Sequence, residues 1–118
     1  MTDNLYFYKA VVQSVYDGDT CTVDIDLGLH TWMHGEKVRL YRINAPEVRG
    51  AEREAGLLSR DFLRSQIEGK TVLIQTIKDR KGKFGRYLAE IWLEGEAGSR
   101  VNVNDLLVQQ GYAAYKDY

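Results

Sequence analysis

One cysteine, one proline and two histidines are all that 118 residues hold of these types. A lone Cys21 excludes an intrachain disulfide framework and a Cys-rich zinc site, so packing must hold the fold, and the redox compartment is left open. An excess of one charge is also missing. Sixteen Lys and Arg against seventeen Asp and Glu leave a net −1, without the basic surplus of many nucleic-acid binders, so any electrostatic footprint has to be local. No apolar run approaches the roughly 18 residues of a membrane span, which speaks against a membrane partner. Met1-Thr2-Asp3-Asn4 lacks the basic-then-apolar pattern of an export leader. The expected location is therefore cytoplasmic if nothing precedes these residues and extracellular if a leader has been removed. With 44% hydrophobic and 28% charged residues, the composition is globular and fits one domain over residues 1–118, expected to be monomeric.

What is present reads as short strands with a helix between them. Residues 5–16 and 20–27 are rich in β-branched and aromatic types, and Asp17-Gly18 between them is a hairpin signal. In the second segment Cys21, Val23, Ile25 and Leu27 share the core phase, while Thr20, Thr22, Asp24 and Asp26 take the wet one. A loop is expected over 28–35 and a strand over 36–43, before Pro46 denies the ladder a donor. Residues 51–68 favour helix, with Leu58, Phe62 and either Leu63 or Ile67 in one apolar arc and Gly69 as the stop; Gly56 inside it costs roughly 1 kcal/mol relative to Ala. Strands over 71–77 and 87–93 follow, joined by a polar loop over 78–85. A helix over 104–110 then presents Leu106, Leu107 and Val108 to the core. This is mostly β with helices: a five-stranded Greek-key barrel of the OB type capped by helices, with an α+β sandwich as the alternative.

Three segments carry chemistry-bearing residues. In Asp17-Gly18-Asp19-Thr20, Asp19 shares the parity of Cys21 and Val23, so its carboxylate points to the interior end of the barrel, where an unpaired charge is expensive without a cation or hydrogen bonds. The spacing is not that of an EF-hand, since Thr22 stands where its glycine belongs. The second segment runs from Arg39 to Glu47 and brings two arginines, an amide and a carboxylate to a strand end. Phosphodiester hydrolysis needs guanidinium forks for the phosphate and a carboxylate or imidazole for the water, and Arg39, Arg86 and Glu47 satisfy that list. The third segment, 78–86, has five cations and one acid, with Phe84 offering a stacking surface, so Arg80, Lys81, Lys83 and Phe84 are candidate nucleic-acid contacts.

Taken together, Asp17-Gly18-Asp19-Thr20, Arg39-Leu40 with Ala45-Pro46-Glu47, and Gly85-Arg86-Tyr87-Leu88-Ala89 resemble the staphylococcal nuclease (thermonuclease) family, in order and over about residues 10–113. The resemblance implies a five-stranded OB-type barrel with helices that cleaves single-stranded DNA and RNA using calcium, breaking the 5′ P–O bond. It makes Asp19 the metal carboxylate, Ala45 a backbone-carbonyl ligand, Glu47 the general base, and Arg39 and Arg86 the phosphate clamp, with Lys83 beside the nucleotide. Two departures matter. Phe84 stands where the family often has tyrosine, which removes a phenolic hydrogen bond to phosphate. Asn44 stands where calcium-dependent members place a second aspartate, so weaker calcium binding, an altered metal preference and a reduced rate are expected. The residues after Tyr115 also stop short of the family's final helix.

Other signals carry less. Gly69-Lys70-Thr71 imitates the end of a P-loop, but Arg64 stands where its first glycine belongs. His30 and His34 lie in a glycine-bounded segment with no partnering Glu, and Cys21 has core parity and no neighbouring His, which makes it a small buried hydrophobe. The rival to a nuclease is a barrel that has kept the fold, lost catalysis, and binds nucleic acid or protein, with Asn44 its best evidence.

Overall fold

The first hairpin is shaped by two bulges. β1 (Phe7–Asp17) pairs antiparallel with β2 (Thr20–Gly28), and the register slips between Val12 and Ser14 and again between Val15 and Asp17. A one-residue slip moves every later side chain to the opposite face. Ala10 and Val12 therefore point into the core on one parity and Val15 on the other, while Asp17, beyond the second slip, lies opposite Thr20. Asp17 and Thr20 are both buried at this end of the hairpin. The computed structural model describes residues 6–81 and 83–116, the side chains of 78–80 excepted.

β3 (Thr31–Leu40) begins five residues earlier than the sequence suggests, so most of the loop expected over 28–35 is strand. The β2–β3 connection is only Leu29 and His30, both left-handed at φ 55 and 61, a turn whose twist suits a hairpin. Neither residue is the Asn or Gly that normally signals such a turn, which is why the sequence reads as a loop. Gly35, at φ 71, absorbs an extra residue in β3, and its N–H donates to Asp24 Oδ1 at 2.9 Å. Where the register slips at Asp26 the alternation of β2 also ends, leaving Leu27 exposed against the expected core phase.

The helix α1 (Arg53–Ile67) follows a 3-10 turn at Gly50–Glu52. Its buried stripe is Gly56, Ser59, Leu63 and Ile67; Leu58, expected in the apolar arc, is 60% exposed, and Phe62 is only half-buried, stacking on Tyr112. β5 (Thr71–Lys81) runs beyond the expected end at 77, and β6 (Tyr87–Glu94) returns antiparallel to it. The sheet order β3-β2-β1-β5-β6 closes through the parallel pairing of β3 with β6, Arg39 opposite Leu88. The result is a closed five-stranded OB-type barrel with two helices. Its interior is filled by β-branched and leucine side chains from every barrel strand together with Leu63, Ile67, Val103 and Leu107.

Three short strands that periodicity does not reveal complete the fold. β4 (Ile43–Asn44) pairs with β8 (Ala114–Tyr115), and β7 (Arg100–Asn102) extends the sheet beside β6. α2 (Val103–Gln109) starts where the Asn102 side chain accepts the Asp105 N–H at 2.9 Å, a helix cap. The fully buried Asn104 locks α2 to the barrel: its Oδ1 accepts the Ile91 N–H, and its Nδ2 donates to the carbonyls of Tyr41 and Ala89. No helix among the described residues is long and apolar enough to cross a membrane.

Candidate active site

At the turn between β1 and β2, Gly18 is required by space. A Cβ there would stand 2.7 Å from the Cβ atoms of both Ala45 and Ser59, so only glycine lets the turn, the β4 segment and α1 meet. The meeting is sealed by Asp19, 6% exposed, whose Oδ2 accepts the Ala45 N–H at 2.8 Å while its Oδ1 accepts the Thr20 hydroxyl at 3.1 Å. The inward aim expected from parity is what the fold has. Asp17 Oδ1 accepts the Asp19 N–H at 3.1 Å. Burial, and next the charge of Asp19, push the Asp17 carboxyl up to about 7.

Arg39, at the end of β3 and 7% exposed, is turned into this framework. Its Nη1 donates to the carbonyls of Leu40 (2.8 Å) and Ile43 (3.0 Å), and its Nη2 to Asn44 Oδ1 (3.2 Å), with Asp19 Oδ2 at 3.4 Å. One guanidinium thus ties the β1–β2 turn to β4. Arg86, just before β6, is more open: its Nη1 reaches the Thr20 hydroxyl at 3.5 Å, a long contact, and its guanidinium lies 5.4 Å from the centroid of the Phe84 ring. Lys83 Nζ lies over the same ring at 5.6 Å, so the 72%-exposed Phe84 carries two cations. Glu47 is exposed on the loop beyond β4, its N–H donating to Glu52 Oε1 at 3.3 Å, and that loop rests with its backbone against Gly56.

Asp19, Thr20, Arg39, Asn44, Ala45 and Arg86 are therefore joined by direct contacts, with Glu47 three residues beyond Asn44. Lys81 is not part of this group. It pairs with Glu36 at 3.4 Å and lies over the Tyr87 ring at 5.2 Å. The side chain of Arg80 lies outside the described residues. His30 and His34 form no metal pair: His34 Nδ1 is 3.3 Å from Asp24 and its ring stacks on Trp32. Cys21 is buried, and burial raises its thiol pKa to about 12, which makes it inert.

Sequence reasoning missed Thr20, assigned to the wet phase but buried as the link between Asp19 and Arg86. It also treated Gly56 only as a cost, although a Cβ there would collide with the Glu47 carbonyl. A stripe of Arg53, Leu57, Arg60 and Arg64 at i, i+4, i+7 and i+11 was legible by helical spacing and passed unread behind the apolar arc.

The donors near Asp19 are all oxygens: the Asp17 and Asp19 carboxylates, Asn44 Oδ1 and the local backbone carbonyls. That chemistry fits a hard divalent cation. The fit is lean, because Asn44 Oδ1 already accepts from Arg39 and Asp19 Oδ2 from Ala45. Among the described residues no three His, Cys, Asp or Glu side chains are grouped to hold a metal.

A family model described as "Staphylococcal nuclease homologue" matches residues 37–118. A curated relative named "Thermonuclease", from Staphylococcus intermedius, is 29% identical over 111 residues, which span 92% of this chain and 60% of that protein.

Proposed function

The chain belongs to the staphylococcal nuclease homologue family, and from that premise we propose that it is a calcium-dependent nuclease hydrolysing the backbone of single-stranded DNA and RNA. The observation that supports this most is the run of contacts from Arg86 through Thr20 and Asp19 to Arg39 and Asn44, which gathers three segments far apart in sequence at one end of the barrel. Such a site addresses phosphate and not bases, so little sequence preference is expected.

In this reading Arg86, the more open guanidinium, takes a phosphoryl oxygen, and Arg39 holds the floor of the site and lends its charge to the same phosphate. Glu47 accepts a proton from a water whose oxygen bonds to phosphorus as the 5′ P–O bond breaks in line; the leaving alkoxide is protonated from solvent. Lys83 and Phe84 flank the nucleotide by charge and stacking. Calcium, held by Asp19, Asn44 Oδ1 and the Ala45 carbonyl, would supply Lewis-acid polarisation of the phosphate.

One observation favours the second reading, a barrel that binds nucleic acid without cutting it: Asn44 offers an amide where a second carboxylate would raise metal affinity, and Arg39 already holds that amide. Heat-denatured DNA incubated with the protein in calcium, manganese, magnesium or chelator separates the two. The nuclease reading expects cation-stimulated cleavage that falls by at least ~10²-fold in Glu47→Gln while binding persists. Binding with no cleavage in any cation would leave the second reading standing.

A further inference from the structure

Beside the candidate active site a cavity of about 900 Å³ opens between one flank of α1 and the strands β1, β2 and β3. It excludes Asp19, Arg39 and Glu47 but shares Thr20, Phe84 and Arg86 with that site, so the two are continuous. Its cations are Lys37, Arg49, Arg53, Arg60, Arg64 and Arg86, six of the sixteen Lys and Arg in a chain of net charge −1, and no carboxylate lines it.

Two of these arginines are already aimed. Arg64 donates through Nε and Nη2 to the Val15 carbonyl at 3.3 and 3.2 Å, with the part-exposed Glu68 carboxylate 3.6 Å from its Nε, and Arg49 donates to the Tyr16 hydroxyl at 3.1 Å. Arg60 has only the exposed neighbour Asp61 at 3.0 Å, a surface pair of small worth. Among the described residues neither Arg53 nor Lys37 has a carboxylate partner within ion-pair distance. Six cations against two part-exposed carboxylates, Asp61 and Glu68, repel one another, and such an arrangement is relieved by an anion. Along α1 the eleven residue steps from Arg53 to Arg64 span roughly 16 Å, which covers several phosphates at the ~3.4 Å axial spacing of a stacked strand. The exposed rings of Tyr16 and Phe84 border the same cavity and offer faces for unstacked bases.

We infer that this arginine-lined trough binds the phosphodiester backbone of a single strand on one side of the scissile link, so that affinity grows with strand length until the trough is filled. The inference rests on the proposed nuclease reading for its choice of strand, and it assigns Arg53 and Arg60 to positioning the substrate, not to chemistry.

The test is fluorescence anisotropy in chelator, where nothing is cut, with labelled oligothymidylates from a dinucleotide upward, on the wild type, Arg53→Ala/Arg60→Ala and Arg53→Lys/Arg60→Lys. Arg53 is exposed and Arg60 half-buried, neither in the core, and thermal melting checks that the variants fold. The alanine pair is expected to weaken long-strand binding on the order of tenfold, to flatten the slope of log K against log salt by about 1.4, and to leave the dinucleotide unaffected. The lysine pair is expected to retain the salt slope. If both pairs keep the wild-type length dependence and salt slope, or if oligoglutamate competes as well as oligothymidylate, the inference is overturned, and cleavage by the wild type would still stand. If the alanine pair loses long-strand affinity in a protein that cuts nothing, the trough stands and the nuclease reading falls.

Discussion

Gly56 on α1 lies so close to the backbone carbonyl of Glu47 that any side chain at 56 would occupy that carbonyl's place. The helix and the loop carrying the proposed base are thus in backbone contact, and the apparent flaw of a mid-helix glycine is the condition for their approach.

Helix propensity alone makes Gly56→Ala a gain of roughly 1 kcal/mol. Because the contact is with backbone, the loop or the helix must move, and we expect a net loss of about 1–3 kcal/mol in denaturant unfolding. Displacement of Glu47 by a fraction of an ångström or more should lower turnover further than stability predicts, on the order of tenfold or more. Comparing Gly56→Ala with Gly56→Ser in both assays checks this; full stability together with full activity would contradict it.

Asp17 makes stability depend on pH. Its carboxyl has an ordinary value of 3.8 and is pushed up to about 7 in the fold, first by burial and then by Asp19. The folded state therefore holds a proton that the unfolded chain releases. The contribution is fully present below about pH 4 and is lost as pH rises through about 7, amounting to a few kcal/mol over that window. Asp17→Asn keeps an oxygen for the Asp19 N–H and removes the titration. In chelator it should match the wild type near pH 4 and exceed it near pH 8, as read by unfolding at both pH values.

Arg42 closes the far side of the barrel. Its Nε and Nη2 donate to the two oxygens of the buried Glu90 at 2.6 and 2.8 Å, Nη2 also donates to Asp105, and the Tyr115 hydroxyl donates to the same Asp105 oxygen. Without Arg42 the buried Glu90 keeps only the Asn102 amide at 3.0 Å, so Arg42→Ala, at a part-exposed guanidinium, should cost roughly 1–3 kcal/mol, while Arg42→Ala/Glu90→Gln recovers part of it. Thermal melting of the single and double variants measures the difference; equal stability of the two would rule out a stranded charge as the cause.

Asn44→Asp adds a full negative charge beside Asp19 at the place where the amide now accepts from Arg39. Calcium affinity by calorimetry should rise on the order of tenfold, and any calcium-stimulated cleavage should rise with it. An unchanged affinity would mean that Arg39 neutralises the new carboxylate before the cation does.

Much of the site could be read along the chain because its signals are local. Alternation with a period of two set the inward parity of Asp19 from Cys21 and Val23 alone, and the order of the three motifs carried the family and its barrel. What failed were the inferences that depend on partners distant in sequence. The bulges in β1, the strand content of residues 31–35, the burial of Asp17 and Thr20, and the exposure of Leu27 and Leu58 follow from which strand lies opposite and how the barrel closes through β3 and β6. The residues of one segment dictate a period, and a period is a property of that segment's backbone. Which phase is buried, which glycine must be bare and which arginines stand without counter-charges are decided only when segments far apart in sequence compete for the same space.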